Sequence, residues 1–276
     1  MDNTAIEALP PLREVIAEHE LAAKKSLGQN FLLDLNLTRK IARAAKPWAA
    51  DTIVEIGPGP GGLTRALLLE DAPRLIAVER DERCLAALAP LEVAAAGRLQ
   101  LQPGDALETD LAALSAAPYQ IVANLPYNIA TPLLLRWLLA PLPPQCLTVL
   151  VQKEVAERLA AKPDTEAYGR LSVIMQWRAE VRMLFDIGPK AFVPPPKVTS
   201  TLVELRPRAK PLAEAETAKL ERVTAAAFGQ RRKMLRASLR SLWPDAESRL
   251  LALGIEPTRR AETLSIEEFC QIARTL

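Results

Sequence analysis

The stretch Thr52-Ile-Val-Glu-Ile-Gly57-Pro58-Gly59-Pro60-Gly61-Gly62-Leu63-Thr64 decides the fold. A short β-branched run enters a turn of glycine and proline, and a helical pattern begins directly after it. Glycine lets a backbone turn tightly and approach a ligand closely, as at the first strand–helix turn of nucleotide-binding α/β folds. Taken alone, the turn does not separate nicotinamide, flavin and S-adenosylmethionine binding.

On either side of this turn the pattern alternates. Thr52–Ile56, Arg74–Glu79, Leu99–Gln102, Tyr119–Ala123 and Leu147–Val151 read as strands. Leu63–Glu70, Asp81–Ala95, Thr131–Leu139 and Lys153–Ala161 read as helices, with Thr131-Pro132 as the N-cap and first-turn pair of the third. Such alternation predicts a mostly parallel sheet with helices on both faces, a Rossmann-like α/β fold. Val181–Ile187 and Lys197–Leu205 are two further β-rich runs, placed to close the sheet as an antiparallel edge. Beyond a linker at Pro207 and Pro211, Glu214–Phe228, Gln230–Leu242, Asp245–Leu253 and Ile266–Arg274 read as helices. The expected division is a leader over 1–21, helical or disordered, an α/β domain over 22–206 and an all-helical domain over 207–276.

Composition removes several classes of chemistry. The chain has 276 residues, 49% of them apolar, and no apolar run approaches the roughly 18 residues of a membrane helix. The acidic start lacks the basic opening of a secretory signal, so a cytosolic protein is expected. Cys84, Cys146 and Cys270 are far apart and lack metal-site spacing, and His19 is the single histidine. Neither a metal site nor a histidine-dependent nucleophile is expected.

The next strand ends carry the site. Leu75-Ile-Ala-Val-Glu79 ends in a carboxylate about 20 residues past the glycines, suited to the ribose hydroxyls of an adenosine-containing cofactor. Asp105, after the third strand, is placed to accept from an adenine amine. The fourth strand leads into Asn124-Leu125-Pro126-Tyr127-Asn128-Ile129, which matches the Asn/Asp-Pro-Pro-Tyr-like signature of enzymes that methylate planar exocyclic amines. An adenine amine is a poor nucleophile because its lone pair is delocalised into the ring. The Asn124 side-chain oxygen and the Leu125 carbonyl can accept its two N–H bonds and turn the lone pair toward a methyl donor. Pro126 stiffens the loop, and Tyr127 can stack on the base. Catalysis would then rest on positioning and electrostatics.

Lys24-Lys25-Ser26-Leu27-Gly28-Gln29-Asn30-Phe31-Leu32, Gly57–Thr64, Asn124–Ile129, Phe192-Val-Pro-Pro-Pro-Lys-Val198 and Phe228-Gly-Gln-Arg-Arg-Lys233 occur in this order. From about residue 22 to the C-terminus the chain resembles the KsgA/RsmA family of small-subunit ribosomal RNA adenine N6-dimethyltransferases. The resemblance implies a class I methyltransferase domain, S-adenosylmethionine as cofactor, and ribosomal RNA within an assembling small subunit as substrate. It implies cofactor contacts from Asn30, Leu32, Gly57, Gly59, Glu79, Asp105 and Asn124. It also implies that Phe192 stacks on the target base opposite Tyr127. A monomer that engages neither metal nor membrane is expected.

Residues 206–260 hold thirteen Lys and Arg against six Asp and Glu, which suggests a polyanionic partner. Arg231, Arg232, Lys233, Arg236 and Arg240 are expected on one helix, with Arg232, Arg236 and Arg240 on one face for phosphate contact. Lys24, Lys25 and Lys197 are the corresponding candidates on the catalytic domain. Three other readings stand beside this one. They are a large-subunit adenine methylase of the resistance type, an assembly factor without turnover, and, more remotely, a nicotinamide oxidoreductase.

Overall fold

The computed structural model describes residues 2–21, 29–116 and 118–276. They divide into two compact units, one of residues 1–153 with 182–206 and the other of 154–181 with 207–276.

The first unit opens with two short helices, α1 (Thr4–Glu7) and α2 (Leu12–Glu18). The leader is therefore helical, and it is built into the unit. Ile6 is fully buried in the main core, and Val15 and Leu21 pack with Cys84 and Ala87. Polar anchors hold it too: Arg98 donates to Asn3 Oδ1 at 2.8 Å, and Arg65 donates to the Pro10 carbonyl at 2.9 Å. β1 (Phe31–Leu32) follows, then α3 (Leu35–Ala44), whose first turn is capped by Asp34.

The sheet is laid down by β2 (Thr52–Ile56), α4 (Gly62–Leu69), β3 (Arg74–Glu79), α5 (Glu82–Ala94), β4 (Leu99–Pro103), α6 (Leu111–Ser115), β5 (Tyr119–Asn124), α7 (Ala130–Leu138) and β6 (Cys146–Gln152). Asp81 and Asp110 accept backbone N–H bonds at the starts of α5 and α6. Thr131 is not a cap: α7 begins at Ala130, which places Thr131 and Pro132 inside its first turn. After α8 (Lys153–Ala160) and α9 (Arg170–Arg178) come β7 (Ala179–Ile187), β8 (Phe192–Val193) and β9 (Ser200–Pro207). The seven-stranded order is β4-β3-β2-β5-β6-β9-β7. β3 pairs in parallel with β4 and β2, and β5 with β2 and β6, whereas β9 runs antiparallel to β6. The expected antiparallel closure is therefore present. β1 and β8 form a separate two-stranded ribbon, Leu32 opposite Phe192.

The expected division at 206–207 is present, but residues 154–181, expected in the α/β domain, belong to the second unit. α9 packs on α10 (Thr217–Gly229) and α13 (Ile266–Arg274), and the Trp177 indole N–H donates to the Ala213 carbonyl at 2.7 Å. Tyr168 meets Phe228 edge-to-face, Phe228 lies tilted against Phe269, and the Tyr168 hydroxyl donates to the Leu264 carbonyl at 3.0 Å. α9 thus follows the sheet strands β2–β6 in sequence but packs within the helical unit. The expected helix over Gln230–Leu242 is also corrected. Met234 is extended and bridges to Arg260, which leaves only α11 (Leu235–Ser238) and a 3-10 turn at Leu239–Ser241. α12 (Ala246–Ala252) follows.

Candidate active site

The strand order reverses between β2 and β5, and loops from both sides of that point part to leave a crevice at the strands' C-terminal ends. The cleft there encloses about 1040 Å³, counting space open to solvent. Asn30, Leu32, Gly57, Gly59, Glu79, Asp105, Asn124, Leu125 and Tyr127 all line it.

The glycine turn is packed directly under the segment that roofs it. Gly59 has a positive φ of 56°, and a Cβ there would lie 2.9 Å from the Phe31 ring. A Cβ at Gly62 would collide with the Leu32 carbonyl oxygen. The N–H of Gly59 donates to Glu79 Oε2 at 3.1 Å, and those of Arg80 and Asp81 donate to Oε1 at 2.9 Å each. Burial raises the Glu79 carboxyl above its usual range, and these three donors offset part of that rise. Oε2 accepts one of these bonds and keeps capacity for a hydroxyl donor. Asp105 accepts from Leu107 N on one oxygen and pairs with Arg80 at 3.0 Å on the other. A glycine cradle with two carboxylates at successive strand ends fits an adenosine-containing cofactor.

At the fourth strand the geometry is specific. The Asn124 Nδ2 donates to the Asn30 carbonyl at 3.0 Å, which turns its Oδ1 away as a free acceptor. The Leu125 N–H donates to the Leu150 carbonyl at 3.2 Å and so fixes the following peptide. The Tyr127 hydroxyl lies 2.6 Å from Ser200 Oγ on β9, a bond that holds the ring by its far end.

Phe192 is a correction. It is 1% exposed, sits in the main hydrophobic core and is absent from the cleft lining. A base could stack on it only after it left that core. Lys24 and Lys25 lie outside the described residues, and Lys197 is exposed. Arg231, Arg232 and Lys233 stand in the turn after α10, Arg236 on α11 and Arg240 in the 3-10 turn, so no single helix carries them. Arg231 pairs with Glu262 at 2.9 Å and Arg236 with Glu247 at 3.2 Å. Glu55, Arg80 and Ser200 join the site although the sequence motifs assign them no role. Gln29 donates to Asp81 at 3.3 Å, and Glu55 lines the cleft with a fully buried carboxyl. The Val-Glu-Ile context of Glu55, a charge inside an apolar strand, was the available signal.

Residues 20–276 match the family model described as ribosomal RNA adenine dimethylase. The chain belongs to the ribosomal RNA adenine dimethylase family. Ribosomal RNA small subunit methyltransferase A of Dinoroseobacter shibae is 57% identical, over 98% of this chain and 98% of that one. Its namesake in Rhodospirillum rubrum is 58% identical, over 99% and 95%. A solved dimethyladenosine transferase from Plasmodium falciparum superposes with a TM-score of 0.74 at 25% identity, over 87% of this chain and 94% of that one. The 23S rRNA methyltransferase ErmE superposes at 0.68 and 25%, over 90% and 99%. This member of the adenine dimethylase family is thus an enzyme on the class I methyltransferase fold, and the leader before residue 20 is built into its catalytic unit although it precedes the family match.

Proposed function

We propose that this chain dimethylates the exocyclic N6 amines of two adjacent adenosines near the 3′ end of small-subunit ribosomal RNA, in the cytoplasm, during assembly of the subunit. The observation that carries the chemistry is Asn124, held by Asn30 with its oxygen free at the cleft. The small-subunit address rests on the 57–58% identical relatives. Asn30, Leu32, Gly57, Gly59, Glu79 and Asp105 would hold S-adenosylmethionine, which supplies an electrophilic methyl group on its sulfonium.

The rest is done by the chain's own groups. Asn124 Oδ1 and the Leu125 carbonyl accept the two amine N–H bonds and draw the nitrogen toward tetrahedral geometry. Tyr127 holds the base by its ring face. The acceptors are fixed before the base arrives, so little reorganisation is needed during reaction. The methylated nitrogen carries a positive charge and sheds its proton readily, so no strong base is required. Lys197, Arg231, Arg232, Lys233, Arg236 and Arg240, with Lys24 and Lys25, would contact phosphates.

The test is methyl transfer from labelled cofactor to small and large subunits of cells that lack this enzyme, with the product nucleosides identified. Dimethyladenosine in the small subunit alone is expected. Label confined to the large subunit would favour a resistance-type address, and no label in either would favour an assembly factor.

A further inference from the structure

Glu55 is the least expected charge in the catalytic unit. It lies on β2 between Val54 and Ile56, 1% exposed, and it lines the cleft beside Gly57 and Gly59. Its Oε2 is buried without a hydrogen-bond partner among the described residues. Thr64 on α4 is near enough to favour the charged form, yet its Oγ1 is buried without a partner as well. An unpaired carboxylate in such a place is strongly disfavoured, and the neutral acid is the form that survives burial.

Among the described residues no cation relieves it. Glu79 on β3 adds repulsion. Arg65 follows Thr64 on α4 but directs its guanidinium to the Pro10 carbonyl. α6 has no titratable side chain, and β5 has only Tyr119 at its far end. Burial, the largest effect, pushes the Glu55 carboxyl up to about 8.

The missing partner is therefore a cation that enters the cleft. The cofactor of the proposed function brings two, the methionine ammonium and the sulfonium. We infer that Glu55 is the counter-charge for the cationic methionine half of S-adenosylmethionine, and that it releases its proton to solvent when the cofactor binds. This rests on the cofactor reading above. The carboxylic acid O–H bond breaks, the buffer takes the proton, and a carboxylate–cation pair replaces a neutral acid in the cleft. Affinity should then rise with pH, by at most about tenfold per unit, and level off once Glu55 is ionised in the free protein.

Isothermal titration of the full chain in buffers of different ionisation enthalpy reads the proton directly. At neutral pH, up to about one proton should leave per S-adenosylmethionine bound. S-adenosylhomocysteine keeps the ammonium but lacks the sulfonium, so its release assigns the cation. 5′-Methylthioadenosine, which carries neither, should release none. Glu55→Gln should abolish the release, flatten the pH dependence and weaken binding at about pH 8 by roughly tenfold. Cofactor binding to the wild type without proton release would overturn the inference and leave the cofactor reading intact, with no variant needed. Release that persists in Glu55→Gln would overturn it too. Absence of any S-adenosylmethionine binding would instead sink the cofactor reading, and this inference with it.

Discussion

The Asn124 amide donates to the Asn30 carbonyl, so the end of β5 and the segment leading into β1 share a hydrogen bond at the cleft. That bond fixes which end of the amide faces a substrate. Asn124→Ala removes the acceptor together with the bond to the Asn30 carbonyl. Turnover should fall by at least about a hundredfold, the scale of losing one preorganised polar group. The fold should survive, as read by circular dichroism and thermal unfolding. Turnover within a few-fold of wild type would remove Asn124 from the chemistry.

Tyr127 separates a ring effect from a hydroxyl effect. Tyr127→Phe keeps the stacking face but leaves the buried Ser200 hydroxyl without its phenol partner. A stability loss of about 1 kcal/mol is expected, with turnover reduced only a few-fold. Tyr127→Ala should reduce turnover far more. Equal damage from both would show that the hydroxyl, through Ser200, is what matters.

The basic cluster divides by its ion pairs. Arg231 and Arg236 already have acidic partners, whereas Arg232, Lys233 and Arg240 are exposed and show no side-chain ion pair among the described residues. Charge removal at the latter three should lower the log–log salt slope of subunit binding by roughly 0.7–0.9 per residue. Cofactor affinity should stay unchanged. Salt plots that coincide with wild type would make these residues a solvated surface.

Ile6 tests whether the leader belongs to the fold. It is wholly buried in the main core, so Ile6→Ala should cost roughly 2–5 kcal/mol. Thermal unfolding would read this, and an unchanged midpoint would mean that the leader packs only loosely.

Glu55 predicts a pH dependence of folding. Its carboxyl is raised from 4.5 to about 8, so in that window the folded chain keeps a proton that the unfolded chain has lost. Stability of the cofactor-free protein should therefore fall as pH rises from about 5 to about 8, and Glu55→Gln should flatten that fall. A gap between variant and wild type that does not change with pH would mean that Glu55 is already ionised in the fold.

The sheet and most of the cleft were legible because their signals are local. A glycine turn, two strand-end carboxylates and Asn-Leu-Pro-Tyr each announce themselves within a few residues. Phe192 was misplaced because the same aromatic suits a base and a core, and only tertiary packing chose the core. The helix over Gln230–Leu242 failed because Met234 spends its backbone on Arg260, a partner remote in sequence. Glu55 escaped because a strand buried on both faces has no alternation to reveal which side a charge occupies.

The chain visits the helical unit twice, over 154–181 and again from 207, and this bears on how the gene can be cut or recombined. A stop codon after Arg206 would not yield a clean catalytic half. It would leave α9 without α10 and α13, and the Trp177 indole without its carbonyl. Exchange of the helical unit between relatives by recombination therefore requires two crossover blocks, 154–181 and the segment from 207, inherited together.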